Sequence, residues 1–181
     1  MLTELSETEK QLKAFRDYVI KQSKSNLTRL KKNSSKKLYD SIKGEYKVMP
    51  NSFSMDFSMA DYGTFQDKGV NGKTSAWTTA YRFGTKMPPP TSLDKWIVRK
   101  GIAPRDTSGK FTGRTIDAVG FRKSIQFLIA RSIFIKGIKP SLFFTKPFEQ
   151  AFKKLPSELI EKFGLDAVKL FDTTIKQPIK K

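Results

Sequence analysis

The stretch Glu45–Ala60, "EYKVMPNSFSMDFSMA", decides the fold class. From Phe53 onward every second residue is apolar: Phe53, Met55, Phe57 and Met59 alternate with Ser52, Ser54, Asp56 and Ser58. Successive side chains of a strand point to opposite faces, so this period of two makes one apolar face and one polar face. Tyr46 and Val48 alternate in the same way before Pro50-Asn51, a pair that favours a turn. The spacing predicts an antiparallel hairpin with one face on a core and one toward solvent.

Around this hairpin the apolar period lengthens. Leu5, Leu12, Phe15, Val19, Leu27 and Leu30 recur at helical steps through residues 3–31, with Lys and Glu between them. Ser6 or Thr8 could cap that helix, and Glu9 lies where a capping box started by Ser6 needs it. After "KKNSSKK" a short helix over Leu38–Ile42 is expected, stopped by Gly44. Residues 71–90 show little periodicity and end in the stiff "MPPP". A helix over 92–100 follows, with Thr91 and Asp94 spaced as a capping box and Gly101 as C-cap. "APRDTSGKFTGRT" reads as a basic loop.

Residues 116–135 are the most apolar segment, with Val119, Phe121, Ile125, Leu128, Ile129 and Ile133 around most of a helical circumference. That pattern predicts a central buried helix, ended by Gly137 and Pro140. Helices near 147–155 and 157–172 and a basic tail complete the chain. The expected fold is therefore α+β: a small antiparallel sheet packed against a long N-terminal helix and a central apolar helix, with a long loop excursion and C-terminal helices. Residues 1–155 are expected to form one domain with the extended loop 71–115, and 156–181 a helical extension and basic tail.

Composition narrows the chemistry. The 181 residues include no Cys and no His, which removes thiol and disulfide chemistry and the commonest general base and metal ligand. Neither an apolar signal-type segment nor a run near the ~18 residues of a membrane span is visible, so a soluble chain is expected. The net charge is +18. It is concentrated: residues 1–44 hold 11 basic and 5 acidic side chains, 93–140 hold 11 and 3, and 45–92 hold 5 and 4. Such a surface is either simply solvated or turned toward nucleic acid or an acidic protein.

Three stretches offer candidate sites. "GVNGK" at Gly69–Lys73 only faintly echoes a phosphate-binding loop, with its glycines three apart. Asp56, Asp61 and Asp67 could meet on Mg²⁺ as a nuclease would require, but solvent-face, cap and turn roles explain them better. Basic and aromatic residues alternate in Ala76–Lys86 and Pro104–Arg114, which suits stacking and backbone contact with nucleic acid without sequence reading. Packing accounts best for "DYGTFQDKGVNGK", Asp61–Lys73: Tyr62 and Phe65 share one side of a helical turn that Gly69 closes with positive φ. The long excursion after it is too poor in apolar spacing to make its own core, so ordering against neighbours is expected.

The order of elements, with "Y-G-x-F-x-D-x-G" at Tyr62–Gly69 and "G-I-K-P-S-x-F-F-T-K-P-F" at Gly137–Phe148, resembles the small neck and tail-completion proteins of tailed bacteriophages, the tail-terminator-like or head–tail joining group. Asp67 stands where that group usually has Glu, and Val70 rather than Thr follows Gly69. The resemblance implies a virion protein made in the host cytoplasm, neither an enzyme nor a membrane protein, and without cofactor or metal. It implies a homo-oligomeric ring that meets the portal and other neck or tail proteins, with nonspecific contact to packaged DNA. In this frame Tyr62, Phe65 and Gly69 fix the post-strand turn, and Phe143, Phe144, Pro147 and Phe148 anchor the last helix. Arg82, Lys86, Arg105, Lys110 and Arg114 are the candidates for contact with a neighbouring subunit or DNA. A nonspecific nucleic-acid-binding protein is the alternative, followed by a metal-dependent nuclease.

Overall fold

The structure, a computed structural model, describes residues 6–49, 52–74, 77, 79–103, 105, 107–111 and 119–161. It is α+β. Helix α1 (Ser6–Arg29) and the short α2 (Lys37–Ser41) precede strands β1 (Lys43–Met49) and β2 (Ser52–Ser58). Then come α3 (Tyr62–Lys68), a 3₁₀ turn (Pro90–Leu93), α4 (Asp94–Arg99), α5 (Val119–Lys136) and α6 (Thr145–Phe152). Residues 155–161 are again helical.

The described residues gather into two compact units, and the chain visits each more than once. The first takes its residues from 1–29, 39–60 and 143–181, the second from 30–38 and 61–142.

In the first unit the hairpin has the expected register. Val48 pairs with Phe53, Tyr46 with Met55 and Gly44 with Phe57, so these residues share one face. That face meets α1, whose buried positions Thr8, Leu12, Phe15, Val19, Ser23 and Leu27 form one stripe at steps of three and four. Phe15, Val19 and Leu155 make the buried centre, and Met55, Phe57, Phe144, Phe148 and Ala151 pack around it. Each fully buried apolar side chain contributes about 1.5–3 kcal/mol. Gly44 does not stop α2. It lies in β1, where a Cβ would come within 2.7 Å of Arg16 Cγ and 3.0 Å of the Phe57 ring, so the sheet and α1 approach closely there.

In the second unit α5 packs on α4 and on the 3₁₀ turn. Asp94 joins them: it pairs with Arg122 at 2.6 Å and accepts a hydrogen bond from Gln126 Nε2 at 2.6 Å. Asp94 is thus occupied by α5, and no side-chain cap forms at the start of α4. Gly101 does end this helix region, with φ of 60° and its N–H on Val98 O. Helix α5 is not the buried central helix its composition suggests. Ala130 and Gln126 are buried, while Phe127 and Leu128 keep 49% and 54% of their surface. Apolar residues surround most of its circumference, and the short α4 and 3₁₀ turn can cover only part of it. Gly137, at φ of 74°, terminates it as expected.

Candidate functional site

The two motifs behind the phage resemblance lie far apart in sequence, and in the second unit they form one hydrogen-bonded junction. Helix α3 ends at Gly69, whose φ of 75° and N–H bond to Phe65 O close the turn. The next residue, Val70, forms an antiparallel bridge with Ile138, donating to Ile138 O at 2.9 Å and accepting from Ile138 N at 2.8 Å. Asp67 O accepts the N–H groups of Ser141 and Leu142, and Ser141 Oγ donates to Gln66 O. On the other side of the bridge, Lys73 N donates to Phe134 O and Thr74 N to Ile135 O.

Only glycine fits at two points of this seam. A Cβ on Gly69 would sit 2.5 Å from Ile138 O, and one on Gly72 2.3 Å from both Gly137 N and Ile135 O. Real Cβ atoms do not approach backbone so closely. This geometry explains "GVNGK" without a phosphate: the amides of Gly69, Val70, Asn71, Lys73 and Thr74 already donate to internal carbonyls. A phosphate loop works by turning such N–H groups outward.

Among the described residues, the first part of the loop beyond the junction is bonded back to Asn71. Buried Asn71 organises it. Its backbone N–H donates to Tyr81 O and its carbonyl accepts from Phe83 N. Its side-chain Nδ2 donates to Thr79 O and its Oδ1 accepts from Trp77 N. Thr79 Oγ1 adds a bond to Gly69 O. Apolar periodicity could not reveal this, because polar bonds from a single residue replace a core.

The rings of α3 are placed differently from expectation. Gly63 and Asp67 are the buried residues of α3. Tyr62 and Phe65 stay 46% and 43% exposed, and Phe65 meets Tyr81 edge-on at 4.9 Å. In the first unit Phe143 and Pro147 are buried, and Asn26 Nδ2 donates to Phe143 O. Phe144, Phe148 and Phe152 lie one turn apart on α6 and stack successively, at centroid distances of 5.9 and 5.6 Å. Phe148 also meets Phe15 and Phe57 edge-on, which ties α6 to α1 and β2.

Of the basic candidates, Arg82, Lys86, Arg105 and Lys110 are exposed, and Arg114 lies outside the described residues. Arg105 has a defined aromatic partner: its guanidinium lies 4.1 Å from the Phe111 ring centroid. Two cations that no motif singles out, Lys32 and Lys100, are also neighbours. Although Lys32 keeps contact with solvent, desolvation first and the Lys100 charge second hold its ammonium below the ordinary lysine value of 10.5.

The aspartates do not assemble. Asp56 is exposed on the hairpin and Asp67 is buried in α3. Among the described residues no group of three or more His, Cys, Asp or Glu is placed to hold a metal ion. Nor, among these residues, is any helix long and apolar enough to cross a membrane. Comparison with protein-family models, curated proteins and solved structures yields no match.

Proposed function

We propose that this chain is a structural subunit of a tailed-bacteriophage particle, a ring-forming neck connector or tail-completion protein that joins the portal to the tail. The observation that carries the reading is the junction: the motifs at Tyr62–Gly69 and Gly137–Phe148 resemble that group separately, and they meet through Gln66, Asp67, Val70, Ile138 and Ser141. The parts of the two motifs that bond to each other lie in one compact unit, while residues 143–148 of the second motif belong to the first unit. The seam roots the loop 71–83 at one place, as a subunit that presents a loop to its neighbours requires.

Exposed apolar surface favours assembly over catalysis. Phe127 and Leu128 are adjacent on α5, and Met49 and Phe53 flank the hairpin turn, all at 47–54% exposure. Large rings and aliphatic groups left in water become favourable when a neighbouring subunit covers them. Head-to-tail contacts between identical copies close into a ring when their rotation permits. The basic balance suits a ring whose inner surface faces the packaged genome.

Native mass spectrometry and electron microscopy test this, on the purified chain alone and mixed with the portal of its own particle. Closed rings of one copy number, in either arm, are expected. A chain that stays monomeric in both arms up to high micromolar concentration overturns the proposal.

A further inference from the structure

We propose that Lys32, Lys100, Arg105 and Phe111 form a track for single-stranded nucleic acid on the second unit. The track begins where residues 100–103 leave α4 and includes Arg105. Together with Phe121 and Ile125 of α5 they line an open cleft of about 450 Å³. Its lining combines the half-buried apolar Ile102, Ala103, Phe121 and Ile125 with the exposed cations Lys100 and Arg105.

Two positive charges are held together. Lys100 Nζ donates to Lys31 O at 3.2 Å, which places its ammonium beside Lys32. Among the described residues neither lysine pairs with a carboxylate. Like charges brought together without a counter-ion leave a strong local positive potential, and a polyanion relieves it.

A stacking platform adjoins the cleft through Arg105. Arg105 and Phe111 form a small antiparallel bridge, closed by Gly109 at φ of 82°. Arg105 Nη1 donates to Gly109 O at 2.9 Å, which holds the guanidinium over the Phe111 ring. Phe111 itself is 60% exposed and Lys110 beside it is exposed.

Cations, an apolar cleft and an accessible ring near one another fit a partner with phosphates along one edge and flat apolar faces along the other. Single-stranded nucleic acid has both, and stacking is tolerant of base identity. A duplex hides its base faces, and an acidic peptide would use the lysines but not the ring and cleft. The inference stands apart from the ring reading, because it concerns binding by one chain whatever its oligomeric state.

Fluorescence anisotropy with a labelled oligo-dT of about 15 nucleotides, near the upper site size of single-strand binders, tests it. A duplex of equal length and a poly-glutamate competitor are run beside it. Tighter binding of the single strand than of the duplex is expected. Phe111→Ala should weaken single-strand binding about tenfold with little change in salt slope, and Phe111→Tyr should restore it. Lys100→Ala with Arg105→Ala should weaken binding and flatten the salt slope by about 1.4, at ~0.7 per phosphate contact. The charge-matched pair Lys13→Ala with Lys21→Ala, on α1, should lose less. All four positions are exposed, and circular dichroism checks that the variants fold. Equal affinity for the duplex, an unchanged Phe111→Ala, or equal losses in the control pair overturns the track. So does displacement of the strand by poly-glutamate at matched charge. Rings without strand binding would sink this inference alone, and strand binding by a permanent monomer would sink the ring alone.

Discussion

At Asn71 the backbone and one side chain together make four hydrogen bonds to Trp77, Thr79, Tyr81 and Phe83. Asparagine in a glycine-rich loop is an ordinary turn residue by sequence, so nothing in "GVNGKT" distinguishes it from its neighbours. Truncation to alanine leaves the Trp77 N–H and Thr79 carbonyl without their partner. Asn71→Ala should cost about 1–3 kcal/mol in urea denaturation and speed amide exchange at Trp77 and Phe83. Exchange unchanged at those amides would show that the loop is held by something else. Gly69 was more legible, since a short ring-bearing helix that ends in glycine demands a left-handed residue. Lys32 was not, because its neighbour Lys100 is remote in sequence. Its depressed pKa has a definite consequence. Between the lowered folded value and 10.5, the unfolded chain binds more protons than the folded one, so stability rises with pH across that window. Below the window the unfavourable charge is fully present. Lys32→Met should therefore raise stability at neutral pH and remove its share of the alkaline rise, as chemical denaturation at successive pH values would show.

Among the elements, the hairpin was readable because its two faces differ chemically at every step, which fixes register as well as type. Helix α6 was readable as a helix, but its role depends on which rings it meets. Phe148 touches Phe15, Phe57, Phe144 and Phe152, whereas Phe152 stacks at the exposed end of the ladder. Phe148→Ala should therefore cost about 3–5 kcal/mol, and Phe152→Ala well under half of that, in parallel denaturation curves. Equal costs would mean that the ladder is not the joint between α6 and its unit. The misreading of α5 has a plain cause. A helix that is apolar nearly all round looks the same whether its own chain or another copy covers it.

For the molecule as a whole, the α+β class followed from periodicity, but the division into two units did not. Periodicity reports which face of an element is apolar and is silent on which distant segment meets it. Segments 66–74 and 134–142 carry no matching pattern, and their junction rests on backbone groups that every residue possesses. The site was legible to the same degree: its glycines and rings stood out, while Asn71, Lys32 and Lys100 acquire meaning only from their neighbours.

The core of the first unit is built by both ends of the described chain. Gln11 of α1 donates to Glu158, 147 positions later, and Phe15 and Val19 share their buried centre with Leu155. During translation the hairpin can meet α1 early, but the part of the α1 stripe that packs on α6 and Leu155 stays uncovered until the ribosome has made the whole intervening polypeptide. Contacts of such long sequence separation form slowly. A nascent chain whose residues up to Leu142 have just cleared the exit tunnel should hold a folded junction between 66–74 and 134–142 beside an apolar helix still open to chaperones. Chaperone crosslinking to α1 should then fall once residues up to 161 have cleared the exit tunnel.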